Sequence, residues 1–279
     1  MSQERTGQEQ AGQEQAAHAH LLFERQGAIA IVTFNRPEAR NAWSLEMLVR
    51  MWDAWCEIDS NRDIRCAILT GAGGTFSAGA DLKLMHGDQS DNPYQARLKA
   101  DPELHWKAML RNYRLKKPLI AAVEGFALGG GTEILQGTDI RVASRSAQFG
   151  LTEASLGLFP LGGSTVRLRR QIPHTIAMEM LLTGRRITAD EALRYGLIGH
   201  VVEDGQSLER ALEIATRIAA NGPLAVQAIK RSVVESEFLP EAEALALELA
   251  IGQPIFATKD SREGPRAFAQ RRTPNFTGE

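Results

Sequence analysis

Apolar positions along this chain follow two rhythms, one before about residue 205 and one after it. Ala28-Ile29-Ala30-Ile31-Val32-Thr33-Phe34 is rich in β-branched residues and is entered from Gly27, which predicts a buried strand. Asn35-Arg36-Pro37 ends that strand, because Pro37 steers Arg36 away from helical angles. Leu45, Leu48, Met51, Trp52 and Trp55 then fall on one helical face and predict a helix over 44–58. Cys66-Ala67-Ile68-Leu69-Thr70 and Leu119-Ile120-Ala121-Ala122-Val123 are two more apolar runs, followed by Gly71 and Gly125, and read as strands. Thr188-Ala189-Asp190-Glu191 is a capping box that opens a short helix ending near Gly196. From Leu208 the strand signals stop. Leu208, Ala211, Leu212, Ala215 and Ile218 share one helical face, Asn221-Gly222-Pro223 breaks it, and helices are expected over 224–237, 240–250 and 259–271.

Strands alternating with helices predict an α/β core over 21–205, with a helical region over 206–279. Residues 1–20 contain the tandem repeat Gly7-Gln8-Glu9-Gln10-Ala11 and Gly12-Gln13-Glu14-Gln15-Ala16, without large apolar side chains after Met1. Burial there cannot offset the entropy of ordering, so a disordered tail is expected, with His18 and His20 solvated. The stretch 86–94, with Asp88, Asp91, Asn92 and Pro93, reads as a flexible loop able to wall a pocket.

Composition narrows the function classes. Lys and Arg total 32 against 34 Asp and Glu, a balance with no footprint for nucleic acid or an anionic membrane. The pair Arg271-Arg272 is too short to change that. Cys56 and Cys66 form neither a metal-ligand spacing nor a disulfide framework and are expected as reduced thiols. His105, His174 and His200 show no metal spacing and are expected to be structural or solvated. Apolar runs stay short of the roughly 18 residues a membrane helix needs. A soluble, cytoplasmic protein is the expectation.

Two glycine-bearing turns carry the candidate chemistry. Gly129-Gly130-Gly131-Thr132-Glu133 follows the Leu119–Val123 run, and its glycines let bare backbone N–H groups approach a ligand. Without a following Gly-Lys-Ser/Thr it is not a P-loop. Phe76-Ser77-Ala78-Gly79-Ala80-Asp81-Leu82-Lys83 forms a similar turn after the Cys66–Thr70 run. Two such turns can aim two N–H donors at one oxygen, the requirement of an oxyanion hole. Taken alone, the first is equally readable as a tight strand-to-helix turn, and the second reads more readily as an ordinary surface turn.

In combination, Asn35-Arg36-Pro37, Ala78-Gly79-Ala80-Asp81, the Gly129–Glu133 turn, Phe149-Gly150-Leu151-Thr152-Glu153, the stretch around Gly163 and Glu263-Gly264-Pro265-Arg266-Ala267-Phe268 resemble the crotonase (enoyl-CoA hydratase/isomerase) family over roughly residues 21 to 275. The resemblance implies a spiral of ββα units, a C-terminal helical trimerisation region, and a homotrimer or dimer of trimers. It implies an enoyl-CoA hydratase with Glu133 and Glu153 as the catalytic carboxyls and the N–H groups of Ala80 and Gly130 as the oxyanion hole. It matches Ala39, Arg40, Ala78, Lys83, Phe268 and Arg271 to CoA-binding positions, the last two often serving a neighbouring subunit. Neither a metal nor a cofactor beyond the CoA of the substrate is implied. Leu161 after Pro160 departs from the family's usual glycine and bears on the acyl pocket. An enoyl-CoA isomerase, and a non-catalytic or RNA-binding protein on this fold, are the alternatives; the presence of both glutamates favours the hydratase.

Overall fold

The computed structural model describes residues 19–85 and 92–279. Residues 1–18 of the expected tail and 86–91 of the expected loop lie outside the described residues. Among the described residues nine strands form two sheets: β1 (Leu21–Gln26), β2 (Ile29–Phe34), β3 (Cys66–Gly71), β4 (Leu119–Val123), β6 (Ile140–Ser144) and β9 (His200–Val202) in one; β5 (Phe126–Leu128), β7 (Gln148–Gly150) and β8 (Arg186–Thr188) in the other. In the larger sheet β1 runs antiparallel to β2, and all later neighbours are parallel.

Parallel strands covered on both faces read as continuous apolar runs, and β2, β3 and β4 obey this. Side chains alternate across a strand, so Ala30, Val32 and Phe34 enter one core while Ile29 and Ile31 enter another. The first core lies beneath α1 (Leu45–Ser60), whose Trp55 is fully buried and donates Nε1–H to the Ala108 carbonyl at 2.8 Å. Fully burying a large apolar side chain contributes about 1.5–3 kcal/mol. The second core is closed by Ala211 and Ala215 of α9 (Ser207–Ala219), which crosses the opposite face of the sheet.

Between these lie α2 (Leu82–Met85), α3 (Gln95–Ala100), α4 (Leu104–Ala108), α5 (Gly130–Leu135), α6 (Ser164–Gln171), α7 (His174–Thr183) and α8 (Ala189–Tyr195). After α9 (Ser207–Ala219) come α10 (Pro223–Ser236), α11 (Glu241–Gly252) and α12 (Lys259–Ala269). Twice the chain leaves the large sheet, adds a three-residue strand to the small one and turns into a helix or helical turn: β4 to β5 to α5, then β6 to β7 to the 3₁₀ turn Glu153–Leu156. That connection delivers both glutamates to the same side of the molecule.

The expected strands and capping box are present, and Ser44 caps α1 by accepting from Met47 N at 3.1 Å. One boundary is corrected. Ala19 and His20, assigned to the tail, belong to the fold: Ala19 is buried, its carbonyl accepts from Asn35 Nδ2 at 2.9 Å, and His20 Nδ1 lies 2.7 Å from Ser44 Oγ. The β1–β2 ladder extends past its last strand residue, with Asn35 N donating to the His20 carbonyl at 2.8 Å, and this pulls both residues in.

Candidate active site

The two glycine turns meet. Ser77 N donates to the Phe126 carbonyl and Leu128 N to the Ser77 carbonyl, each at 2.9 Å, so the first turn lies alongside β5. A Cβ on Gly79 (φ 82°) would stand 2.6 Å from Gly130 N, so only glycine allows the approach. Among the described residues neither Ala80 N–H nor Gly130 N–H is given to another group, and both residues line one cavity. Asn41, fully buried at φ 54°, knots this corner. Its Nδ2 donates to the Ala72 and Thr75 carbonyls at 2.9 and 2.6 Å, and its Oδ1 accepts from Arg36 N at 2.8 Å. Arg36 Nη1 in turn lies 2.7 Å from Asp81 Oδ2, while Asp81 Oδ1 accepts from Lys83 N at 3.0 Å. The residue after Ala80 is thereby pinned from both sides.

Glu133, in the first turn of α5, is 4% exposed. Its carboxylate accepts from Gly162 N at 3.0 Å and Ser164 N at 3.2 Å. Burial raises its pKa, and the backbone donors oppose that rise. A Cβ on Gly162 would sit 2.7 Å from Glu133 Oε2, so the loop must carry glycine there. Glu153 opens the Glu153–Leu156 turn after β7, and its Oε2 is buried with no partner among the described residues. Burial, with the charge of Glu133 adding to it, pushes its pKa up to about 7. Thr132 joins the two supports: its Oγ1 donates to the Ala127 carbonyl at 2.5 Å and accepts from Gly150 N at 3.1 Å. One carboxyl fixed by donors beside one left unsatisfied can hold and release protons near neutral pH.

Both carboxyls and both free N–H groups face a cavity of about 450 Å³, the size of a small-ligand pocket. Trp43, Leu45, Trp106, Met109 and Phe159 make its wall apolar, and Leu161, half exposed, stands in the same lining. His105, expected to be structural or solvated, also lines this cavity, and burial lowers its pKa. Its helix, α4, packs on α1 and so faces the glycine turns, which a lone histidine in the sequence does not reveal.

Of the candidate CoA positions, Ala78 lines the cavity, and its N–H donates to the Arg40 carbonyl at 2.9 Å. Ala39 closes the 3₁₀ turn Pro37–Ala39, Arg40 is exposed at φ 53°, and Lys83 is exposed on α2. Phe268, 87% exposed, and Arg271 lie on and just beyond α12, outside the lining of this cavity. Among the described residues no group of His, Cys, Asp or Glu is placed to hold a metal ion, and no helix is long and apolar enough to cross a membrane. Cys66 is buried, its thiol pushed up to about 12 by desolvation, and Cys56 is exposed; both are free. The supports missed by sequence reading are Asn41, Thr132 and the Gly162 and Ser164 N–H groups. Only the asparagine leaves a trace in the sequence, as a residue type tolerant of positive φ in a turn.

Comparison with known proteins places the chain among related sequences and folds. The family model described as enoyl-CoA hydratase/isomerase matches residues 24–279. The chain is 57% identical over 255 residues to the enoyl-CoA hydratase EchA19 of Mycobacterium tuberculosis, covering 91% of this chain and 95% of that one. It is 39% identical over 254 residues to the short-chain-enoyl-CoA hydratase of Clostridium acetobutylicum, covering 91% and 95%. Among solved structures, an enoyl-CoA hydratase of Mycobacterium tuberculosis superposes with a TM-score of 0.85 at 39% identity, covering 94% of this chain and all of that one. With a family model spanning nearly all described residues and the paired turns and glutamates in place, the chain belongs to the enoyl-CoA hydratase/isomerase family.

Proposed function

We propose that this protein is an enoyl-CoA hydratase, adding water reversibly across the 2,3 double bond of a 2-enoyl-CoA thioester. The observation that carries this reading is one buried and one half-buried carboxyl from different elements on one cavity, beside two unused backbone N–H groups. Ala80 N–H and Gly130 N–H receive the thioester oxygen as it gains enolate charge; each such donor contributes about 3–4 kcal/mol. Glu133, ionised and held by Gly162 and Ser164, takes a proton from water while the oxygen bonds to C3. Glu153, protonated because burial raises its pKa, delivers its proton to C2. Each turnover leaves Glu133 protonated and Glu153 ionised, and exchange with solvent restores both. Purified protein is expected to bleach the conjugated absorbance of crotonyl-CoA as 3-hydroxyacyl-CoA forms. An isomerase would instead create conjugation from a 3-enoyl-CoA and leave crotonyl-CoA unchanged.

The CoA nucleotide lies along Ala39, Arg40, Ala78 and Lys83, with Phe268 and Arg271 reaching the CoA of a neighbouring subunit; guanidinium and ammonium groups suit its phosphates. The reaction calls for no metal and no cofactor beyond that CoA. The ββα passages through β4 to α5 and β6 to the Glu153 turn are read as windings of a spiral core over 21–205. The helical region 206–279 is read as the trimerisation region of a homotrimer or dimer of trimers. The apolar side chains left exposed on α10 and α11 support that assignment. Acyl-CoA turnover of this kind fits a cytoplasmic enzyme of lipid metabolism.

A further inference from the structure

The Gly162 N–H that grips Glu133 belongs to the peptide unit whose carbonyl is that of Leu161. In a trans peptide the C=O and N–H point in opposite directions. Glu133 Oε2 lies 3.0 Å from the N–H end, and on the far side Arg111 Nε donates to the Leu161 carbonyl at 2.7 Å. Arg111 therefore stands one peptide away from a catalytic carboxyl, although its side chain is on the surface and does not line the cavity.

Arg111 is itself held in place. Its guanidinium lies 5.0 Å from the centroid of the Trp106 ring, a cavity wall. Arg167 of α6 reaches back across the same gap, donating Nη1 to the Leu110 carbonyl at 2.8 Å and Nη2 to the Arg111 carbonyl at 2.6 Å. Leu110, buried at φ 57°, is kept in a conformation that side-chain-bearing residues rarely adopt. The two arginines thus cross-strap the segment after α4 to the loop and helix that supply both N–H donors of Glu133.

We propose that Arg111 is a positioning residue of this enzyme, orienting and polarising the Leu161–Gly162 peptide so that its N–H supports the ionised Glu133. A cation on the carbonyl oxygen strengthens the N–H as a donor, because hydrogen bonds in series polarise one another. Charged and titratable groups around Glu133 include Glu153 and Arg167, with Arg114 and Glu237 beside Arg167, and His105 and Asp81 on the same cavity. The kinetic part of the proposal rests on the hydratase reading; the effect on Glu133 ionisation does not.

The test compares wild type with Arg111→Met, Arg111→Lys and Arg114→Gln. For Arg111→Met, kcat on crotonyl-CoA is expected to fall by about tenfold or more, since small misplacements of a catalytic group are strongly felt. KM should move far less. The acid limb of the pH profile should shift upward by about one unit, because the ionised form loses support from its donor. Arg111→Lys should recover part of both effects. Arg114→Gln removes a nearby cation without touching the Leu161 carbonyl and should leave the profile in place. In parallel, the ionisation of Glu133 is read in substrate-free, carboxyl-labelled protein by infrared difference against Glu133→Gln. Its midpoint should rise in Arg111→Met. An unmoved midpoint, with only thermal stability altered, overturns the proposal whatever the enzyme turns over. If wild type leaves every enoyl-CoA untouched, the hydratase reading falls instead, and the infrared midpoint still decides the role of Arg111.

Discussion

At the scale of single residues, Glu133 and Glu153 are a pair with divided environments. Replacing either by Gln keeps volume and removes proton chemistry, so each change should lower kcat by about 10²- to 10⁴-fold. If both serve one addition of water, the double change should cost much less than the product of the singles. An enzyme relying on Glu153 alone would keep near-native turnover in Glu133→Gln, which rapid kinetics with crotonyl-CoA would reveal. Glu153 also has a signature in stability. Its folded pKa, about 7, lies above its ordinary value of 4.5, so the folded state binds the proton more tightly than the unfolded chain. Its contribution is fully present below about pH 4.5 and is lost as pH rises through about 7. Glu153→Gln should therefore raise stability at pH 8 by on the order of 2 kcal/mol and change little at pH 4.5. Equal effects at both values, measured by denaturant unfolding, would contradict the raised pKa of Glu153.

At the scale of elements, what the sequence made legible was the long and the doubly buried. β2, β3 and β4 announce themselves because both of their faces are covered, and α1 because its apolar face repeats. β5, β7, β8 and β9 have only three residues each, too few for a period of two to show. β1 escapes notice because four of its six residues, Phe23 to Gln26, are exposed at the sheet edge. The glycine turns and glutamates were readable as motifs. Their supports were not, because Asn41 meets Thr75 and Arg111 meets Leu161 only after the chain folds back. Asn41 provides an element-level test. Asn41→Ala leaves the Ala72 and Thr75 carbonyls without their donor and keeps a positive φ with no side-chain bond to hold it. A loss of about 3 kcal/mol is expected from equilibrium unfolding, with Asn41→Asp, which cannot donate, no better. A loss below about 1 kcal/mol would mean the turn stands without this knot.

At the scale of the whole molecule, the C-terminal helices pose a problem that one chain does not solve. α10 has no buried residue, and Ile229 and Val233, one turn apart on it, are 65% and 67% exposed. Leu245 and Leu249 repeat the pattern on α11, which packs against α10, and Phe256 beyond them is 82% exposed. Water-facing apolar side chains in this number on paired helices mark a surface meant to be covered. Covering it with copies of the same chain also accounts for Phe268 and Arg271, which lie outside the cavity of their own subunit. Sedimentation at micromolar concentration is expected to give a mass that is a multiple of three times 30.6 kDa, and a species near 30.6 kDa would end the trimer reading. Ile229→Glu combined with Val233→Glu should then shift the mass downward, since charges at a covered apolar face are costly to bury. If neighbouring subunits complete the CoA site, the dissociated variant should bind acyl-CoA more weakly while Glu133 and Glu153 stay in place. If Arg271 holds the CoA, Arg271→Gln should raise KM within intact oligomers and leave kcat nearly untouched, since such a contact would be made equally in substrate and transition state. An unchanged KM in Arg271→Gln, with the trimer intact, would confine the CoA site to the residues around Arg40 and Lys83.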